Sequence, residues 1–235
     1  MKMGAMKEFD QFKDSYSDKI GEAISFSGQS HDFYIRIKAD HLLRAIKKNF
    51  YDKESITFLD VGCGHGLIHP YLKENAEFDI DIHGIDPAST VIDFARERHG
   101  SFTYAVNEGT SFPYEDDSFD VAKATCVMHH VDPSQWECFL REMKRVVKPG
   151  GLIFIYEHNP YNPMTRRLVN TCELDENAVL ISAPDLERRM KNIGLSCVKT
   201  DYIIFFPFDL SVFRKIETAI TWLPLGAQYT TYAVV

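Results

Sequence analysis

A glycine-rich loop between a predicted strand and a predicted helix is the part of the sequence best suited to hold a ligand. Residues 60–66 read DVGCGHG, follow an apolar run over residues 56–61, and precede a helical pattern. Glycines let the backbone approach a ligand closely, and the first turn of the helix offers N–H groups. Because a G-x-G pattern is shared by several nucleotide-binding folds, the loop alone predicts only a nucleotide-like ligand.

Carboxylates after the next two predicted strands extend this candidate site. Asp86 ends the strand predicted over residues 80–86, and Glu108, followed by Gly109, comes after the strand predicted over residues 102–106. A carboxylate at the tip of the second strand is well placed to accept both hydroxyls of a ribose. The loop spacing is G-x-G-x-G rather than G-x-G-x-x-G, which disfavours a nicotinamide dinucleotide.

A second polar group follows the fourth and fifth predicted strands. His129 and His130 come after the strand over residues 119–128, and Glu157 and His158 come after the strand over residues 152–156. Ligands of open α/β sheets bind at the carboxyl ends of the strands, so these four residues are candidates for acid–base catalysis. Structural hydrogen bonding by the histidines and a proline-braced turn over residues 157–163 are the alternative interpretations.

Regular alternation of strands and helices would position these residues. Strands and helices alternate from residue 56 to residue 156, a helix and a sixth strand are predicted over residues 184–193 and 197–206, and a final strand is predicted over residues 228–235. This order favours an α/β fold with a doubly wound, mostly parallel sheet. Residues 1–50 are predicted to form a helical cap or lid with Ser30 as a helix N-cap, and residues 51–235 form the main domain, with an irregular insertion over residues 157–183.

Composition narrows the classes of protein. The chain has 235 residues, 26 Lys and Arg against 34 Asp and Glu, and a formal charge of −8. The acidic balance disfavours a nucleic-acid partner. No apolar run is long enough to span a bilayer, and the first ten residues lack the apolar core of a signal peptide, so we expect a cytoplasmic protein. The five cysteines form no C-x-x-C pair, so we expect no metal site and no redox dithiol.

Five segments in order resemble the motif series of one enzyme class. Residues 58–66, 84–87, 107–120, 127–131 and 141–151 resemble the class I S-adenosylmethionine-dependent methyltransferases, most closely the ubiquinone/menaquinone-type, small-molecule branch. The resemblance covers residues 56–195. It implies a Rossmann-like sheet of seven strands, of which the last, over residues 228–235, is antiparallel.

The resemblance also implies S-adenosylmethionine as cofactor, S-adenosylhomocysteine as product, and roles for particular loop residues. Asp86 would bind the ribose hydroxyls. His65 departs from the small or polar residues usual at its position, and we expect it to point outward. The methionine end of the cofactor would be held by Asp60, Gly62, Cys63 and Gly64.

Roles are implied for five further positions around the cofactor. Pro87 would lie against the adenine, Glu108 would meet its amino group, and the N–H of Gly109 would meet a ring nitrogen. Thr125 would line the methionyl pocket. Tyr34, in the predicted lid, would pack on the sulfonium, with ordinary helix packing as the alternative.

The expected reaction is methyl transfer to a small-molecule acceptor by in-line displacement in a closed pocket. The sequence leaves open whether the acceptor atom is O, N or C, and a general base is needed only if the acceptor carries a proton of high pKa. We expect a monomer or homodimer without integral membrane association. The alternatives are a non-catalytic S-adenosylmethionine-binding or sensor protein and an NAD-dependent oxidoreductase.

Overall fold

A computed structural model describes residues 28–107 and 111–235 of the chain. The helical segment predicted before residue 28, and the predicted adenine-binding residues Glu108 and Gly109, lie outside the described residues. Among the described residues, no helix is both long enough and apolar enough to cross a membrane.

The core of the fold is one sheet of seven strands. In chain order the strands are β1 Ser55–Val61, β2 Asp79–Asp86, β3 Thr103–Val106, β4 Phe119–Thr125, β5 Val147–His158, β6 Ser196–Ile203 and β7 Gln228–Val234. Their order across the sheet is β3-β2-β1-β4-β5-β7-β6. The first five strands pair in parallel, whereas β7 runs antiparallel to both β5 and β6. The predicted doubly wound sheet with an antiparallel final strand is therefore confirmed.

Helices cover both faces of this sheet. The α-helices of the described residues are α1 His31–Asn49, α2 His69–Asn75, α3 Ser89–Arg98, α4 Trp136–Val146, α5 Pro163–Thr171, α6 Ala183–Asn192 and α7 Ser211–Ala219. Helices α1 and α2 share an apolar cluster with Phe58 of β1, while α4 and α6 share another with its neighbour Leu59. Successive strand residues point to opposite faces, so both faces of β1 are buried, as expected for a parallel sheet between helical layers.

Several element boundaries differ from the sequence predictions. Strand β4 ends at Thr125, because Cys126 adopts a positive φ of 55° and the next residues form a 3-10 turn, Met128–His130. Strand β5 extends to His158, so Glu157 and His158 lie in the strand rather than after it.

The expectation of an irregular insertion over residues 157–183 is wrong. This segment contains helix α5 and a 3-10 turn, Glu173–Asp175. The side chain of Asn162 caps α5 by accepting hydrogen bonds from the N–H groups of Met164 and Thr165, and Pro163 occupies the first helical turn. Capping chemistry therefore starts a helix that hydrophobic periodicity did not indicate.

Candidate active site

A cavity of about 390 Å³ lies at the carboxyl ends of the central strands, between β1, β2, β4, β5 and helix α1. This is the edge of an open α/β sheet where ligands bind. The residues that sequence analysis assigned to the site and that line the cavity are Tyr34, Asp60, Gly62, Cys63, Gly64, Asp86, Pro87, Thr125, His129, His130 and His158. The structure therefore brings to one cavity three of the four predicted catalytic residues and the predicted cofactor residues other than Glu108 and Gly109, which lie outside the described residues.

The glycine-rich loop is held in a conformation that requires glycine. Gly62 and Gly64 have φ values of 68° and 53°, where side chains are rarely tolerated. A Cβ added at Gly62 would lie 2.4 Å from Cγ2 of Val127, whereas one added at Gly64 would meet nothing within 4 Å. Gly62 is therefore required for packing, and Gly64 leaves space beside the loop.

Asp86 ties the end of β2 to this loop. Its Oδ2 accepts a hydrogen bond of 3.0 Å from the N–H of Gly64, and its Oδ1 accepts one of 3.0 Å from the N–H of Ala88. The carboxylate lines the cavity and is only partly buried. The carboxylate is thus held by two backbone N–H groups, one from the glycine-rich loop and one from the residue before α3.

Asp60 is a fully buried carboxylate with one oxygen in a polar network and one without a partner. Its Oδ2 accepts hydrogen bonds of 3.0 Å from Nζ of Lys123 and 3.0 Å from Nε2 of His69, whose Nδ1 lies 2.8 Å from the Tyr104 hydroxyl. Burial raises the pKa of Asp60, but Lys123 and His69 outweigh burial and hold that pKa below its usual value. Among the described residues, no donor reaches Oδ1 of Asp60, although the residue lines the cavity.

Helix α1 forms one wall of the cavity. Ser30 caps the helix by accepting a hydrogen bond of 3.3 Å from the N–H of Phe33, as predicted. Tyr34 lines the cavity with its ring 5.1 Å from that of Phe33 in an edge-on arrangement. His31 and Lys38 line the same wall. Burial and the Lys38 charge lower the pKa of His31 to about 4, and burial lowers the pKa of Lys38.

A cluster of histidines and carboxylates forms the other end of the cavity. Nδ1 of the buried His129 lies 2.5 Å from Oε2 of Glu157, and Oε1 of Glu157 accepts a hydrogen bond of 2.8 Å from the N–H of Met128. Oδ1 of Asp175 lies 3.4 Å from Nε2 of His129 and 3.6 Å from Nε2 of His130. Glu157 does not line the cavity, so it acts behind His129 and orients that ring.

Each charged group of this cluster shifts the pKa values of its neighbours. Burial lowers the pKa of His129, but the carboxylates of Glu157 and Asp175 outweigh burial and raise that pKa well above its usual value. Burial raises the pKa of Glu157, but the His129 charge outweighs it and keeps that pKa low. Burial and the neighbouring His129 lower the pKa values of His130 and His158 to about 4 each. His130 and His158 are therefore neutral near pH 7.

The expectation that His65 points outward is wrong. This residue is 5% exposed, lines the cavity and packs its ring 4.4 Å from that of Phe94. Asn159, the residue after the predicted catalytic pair, is 1% exposed, and its Nδ2 donates to the carbonyls of Pro224 and Gly226. Of the polar residues 157–159, only His158 lines the cavity.

Sequence reasoning missed four ionisable residues of the site. They are His31, Lys38, Lys123 and Asp175. The signal for Lys123 was a lysine inside the otherwise apolar run of β4. Asp175 gave no signal, since a lone aspartate in a polar segment is ordinary.

The strand order and the position of the cavity define the class of fold: a Rossmann-like sheet with a single antiparallel strand and a ligand site above β1 and β2. Residues 59–155 match the protein family described as "Methyltransferase domain". Among solved structures, the chain is similar to a methyltransferase of Thermotoga maritima described as a possible histamine N-methyltransferase. That similarity has a TM-score of 0.66 and 21% identity, and it covers 96% of this chain and 97% of the other.

Curated relatives carry several different activities. A tRNA N(3)-cytidine methyltransferase of Gallus gallus is 27% identical over 117 residues, which are 46% of this chain and 32% of the relative. The ubiquinone/menaquinone biosynthesis C-methyltransferase of Geotalea daltonii is 30% identical over 152 residues, which are 60% of this chain and 63% of the relative. The chain thus spans about a third of the Gallus gallus relative's length. Residues 59–155 thus match a methyltransferase family, and the fold is that of the S-adenosylmethionine-dependent methyltransferases, as the motifs predicted.

Proposed function

We propose that this protein transfers a methyl group from S-adenosylmethionine to a small-molecule acceptor bound in the same cavity. The observation that carries the proposal is the continuity of the cavity, which runs from the glycine-rich loop and Asp86 to the histidine cluster. Binding of both reactants in one cavity provides proximity and alignment, which are main requirements of an in-line displacement.

The cofactor end of the cavity fits the methionine and ribose groups. Oδ1 of Asp60 is a buried anionic atom without a partner among the described residues, so it is suited to a methionine ammonium group. The open space at Gly64 admits the chain of the ligand beside the loop. Asp86 would accept the ribose hydroxyls, and the buried Oγ1 of Thr125, which also has no hydrogen-bond partner among the described residues, would contact the methionyl part.

We extend the proposal to the remaining positions implied by the motifs. Pro87 would pack against the adenine, whose edge would meet Glu108 and Gly109. Tyr34 would cover the sulfonium from helix α1, and Cys63 would contribute its backbone to the methionine site. When bound, S-adenosylmethionine supplies an electrophilic methyl group on a positively charged sulfur.

The acceptor end of the cavity is largely apolar beyond the histidines. This composition supports an acceptor with an apolar body and one polar group near the cluster. His130 and His158 are neutral near pH 7 and line the cavity, so each is suited to hydrogen bonding with the acceptor, whereas pKa values of about 4 make both weak bases. The apolar lining residues at this end are Met164, Leu168, Ile204, Phe205 and Pro207.

A small-molecule acceptor is favoured over a nucleic acid by charge. The formal charge of −8 opposes association with a polyanion. Similarity to a tRNA methyltransferase over 46% of the chain nevertheless makes tRNA the necessary comparison acceptor.

Calorimetry tests the cofactor assignment first. We expect S-adenosylhomocysteine to bind and Asp86→Ala to weaken that binding at least tenfold, about 1.4 kcal/mol. The control Asp93→Ala removes an exposed carboxylate on α3 that pairs with Arg96, and it should leave the affinity unchanged. Equal affinities of wild type and Asp86→Ala would refute the ribose assignment, and binding of NADH alone would favour an oxidoreductase.

Incubation with labelled S-adenosylmethionine tests the transfer itself. The label should appear in a small molecule when the protein is mixed with a fractionated metabolite extract. Label incorporated only into tRNA in a parallel reaction would overturn the small-molecule assignment. Binding of S-adenosylhomocysteine without transfer to any fraction would favour a sensor.

A further inference from the structure

Three side chains at the acceptor end of the cavity present metal-ligating atoms to one point. They are His129 and His130, which follow β4, and Asp175, which lies in the 3-10 turn of the insertion. One ligand atom from each lies within 4.8 Å of the other two. All three residues line the cavity, so the point on which they converge is open to a ligand.

The separations between these atoms match a coordination sphere. Oδ1 of Asp175 lies 3.4 Å from Nε2 of His129 and 3.6 Å from Nε2 of His130. Two ligands held about 2.1 Å from one ion at angles of about 90–110° are about 3.0–3.4 Å apart. The two distances to Asp175 exceed this range by at most a few tenths of an ångström, and the ligand atoms of the two histidines lie within 4.8 Å of each other. Side-chain movements that bring the histidines together would complete the geometry.

The second nitrogen of His129 is arranged as in a metal ligand. Its Nδ1 is bonded to the buried Glu157, which is itself fixed by the N–H of Met128. Carboxylates in this position fix the ring of a metal-binding histidine and leave the other nitrogen for the metal. Nε2 of His129 is buried, lies 3.4 Å from Oδ1 of Asp175 and makes no hydrogen bond of standard geometry among the described residues, so a metal ion at this point would replace the proton on Nε2.

We propose that His129, His130 and Asp175 form a binding site for a divalent first-row transition ion. Two histidines and one carboxylate are a ligand set of such ions, and three protein ligands leave positions for a further ligand. Because the site faces the cavity, those positions face the acceptor rather than the bulk of the protein. The sequence did not predict this site, since its ligands come from segments that only the fold brings together.

The metal site deepens the proposed function and, in its role toward the acceptor, rests on it. A metal-bound hydroxyl loses its proton more easily than a free one. In methyl transfer to such a group, the hydroxyl proton leaves to solvent, and an oxygen lone pair forms the new O–C bond. The S–C bond breaks with its electron pair to sulfur.

Metal binding is measured directly, apart from activity. The full chain is dialysed against EDTA, loaded with Co²⁺ or Zn²⁺ and desalted, and retained metal is counted by mass spectrometry. We expect about one ion per chain for wild type, and visible d–d absorption of the Co²⁺ form. Asp175→Asn and His130→Ala should each lower the affinity at least tenfold, and Glu157→Gln, which weakens support for the ring of His129, should lower it about 10–100-fold.

The control is another histidine next to a carboxylate. His83 on β2 has its Nε2 3.4 Å from Oδ2 of Asp81 and does not line the cavity, so His83→Ala should leave metal retention unchanged. Circular dichroism and S-adenosylhomocysteine binding establish that each variant is folded.

Two outcomes would overturn the metal site: wild type that retains no metal after loading, or retention unaffected by all three site substitutions. In those cases His129 only bridges Glu157 and Asp175 as an imidazolium. Wild type that binds S-adenosylhomocysteine but no metal contradicts this inference alone. Wild type that retains metal but does not bind S-adenosylhomocysteine contradicts the proposed function alone.

Discussion

Asp60 remains charged in the core because donors converge on one of its oxygens. Lys123 and Asp60 are 4% and 1% exposed, so their ion pair is removed from water. Removing one partner of such a pair costs more than the pair contributes, because the other charge is left buried without compensation. His69 alone would then face the carboxylate.

Replacement of the buried lysine should therefore affect both stability and binding. We expect Lys123→Met to lower the free energy of unfolding by about 3 kcal/mol, measured by urea denaturation. It should also weaken S-adenosylhomocysteine at least tenfold in calorimetry, because Asp60 then loses the cation that keeps it ionised. The matched control Lys73→Met removes an exposed pair with Asp79 and should cost less than about 1 kcal/mol. A similar small cost for both variants would contradict this account.

The open space at Gly64 predicts that a side chain at this position weakens ligand binding. Gly64 and Gly150 both have positive φ and empty space where a Cβ would lie, but only Gly64 lines the cavity. Gly64→Ala and Gly150→Ala should each destabilise by about 1–2 kcal/mol through backbone strain. Only Gly64→Ala should weaken S-adenosylhomocysteine, at least tenfold, because its methyl group occupies ligand space. Equal affinities of the two variants in calorimetry would show that the loop does not contact the ligand.

At the residue scale, the sequence predicted those site residues that can be recognised from their immediate sequence neighbours. Glycines with an acidic neighbour and Asp86 at a strand end are local signals. Lys123 carried a local signal, a lysine inside a buried strand, but Asp175 carried none, and the partners of both residues lie far along the chain. Glu157 was found, but its place behind His129 depends on β5 being longer than its apolar run.

At the element scale, helix α5 shows what periodicity alone could not predict. Its starting signal is the pair Asn162 and Pro163, whereas the helix buries few residues and follows a run of turn-forming residues. The strands, in contrast, were found because β-branched and apolar residues cluster in short runs. The observed strand ends differ from the predicted ones where backbone conformation ends the strand. An example is β4, which stops before Cys126, a residue in a left-handed conformation.

Loss of the α5 cap should loosen this element in particular. Asn162 accepts hydrogen bonds from two backbone N–H groups and donates to the carbonyl of Leu225, so Asn162→Ala should cost about 1–2 kcal/mol. Hydrogen exchange should rise across residues 163–171. The control Ser182→Ala removes the cap of α6 and should raise exchange across residues 183–192 instead. Exchange that rises uniformly in both variants would argue against element-specific capping.

At the scale of the whole molecule, the ligand cavity and the hydrogen-bond network of Asp120 lie at opposite ends of the sheet. The cavity occupies the carboxyl ends of the strands, whereas Asp120 joins β1, β4 and β5 at the opposite end. Oδ2 of Asp120 accepts hydrogen bonds from the N–H and hydroxyl of Thr57, at 2.8 and 2.9 Å, and from Nζ of Lys148, at 3.2 Å. Nζ of Lys53 donates to Oδ1 at 2.5 Å. This one carboxylate therefore fixes the register of three central strands.

The hydrogen bonds to Asp120 predict how the free energy of unfolding depends on pH. Burial raises the pKa of Asp120, but hydrogen bonds from Lys53, Thr57 and Lys148 outweigh it and lower that pKa to about 2. Since the folded-state pKa lies below the usual 3.8, the contribution of Asp120 is complete above about pH 4 and is lost as pH falls towards 2. After allowance for the partly solvated lysines, this contribution is about 1–2 kcal/mol.

Asp120→Asn should therefore lower the free energy of unfolding by about 1–2 kcal/mol at pH 7, because the charged acceptor of these bonds is lost. The difference from wild type should stay constant down to about pH 4 and shrink between pH 4 and pH 2.5, as measured by urea denaturation at each pH. The control Asp116→Asn removes an exposed pair with Arg145 and should change stability by less than about 1 kcal/mol. A wild-type advantage over Asp120→Asn that grows on acidification would contradict the assigned direction of the pKa shift. Such a result would mean that strand pairing and packing, rather than this carboxylate, hold the three strands in register.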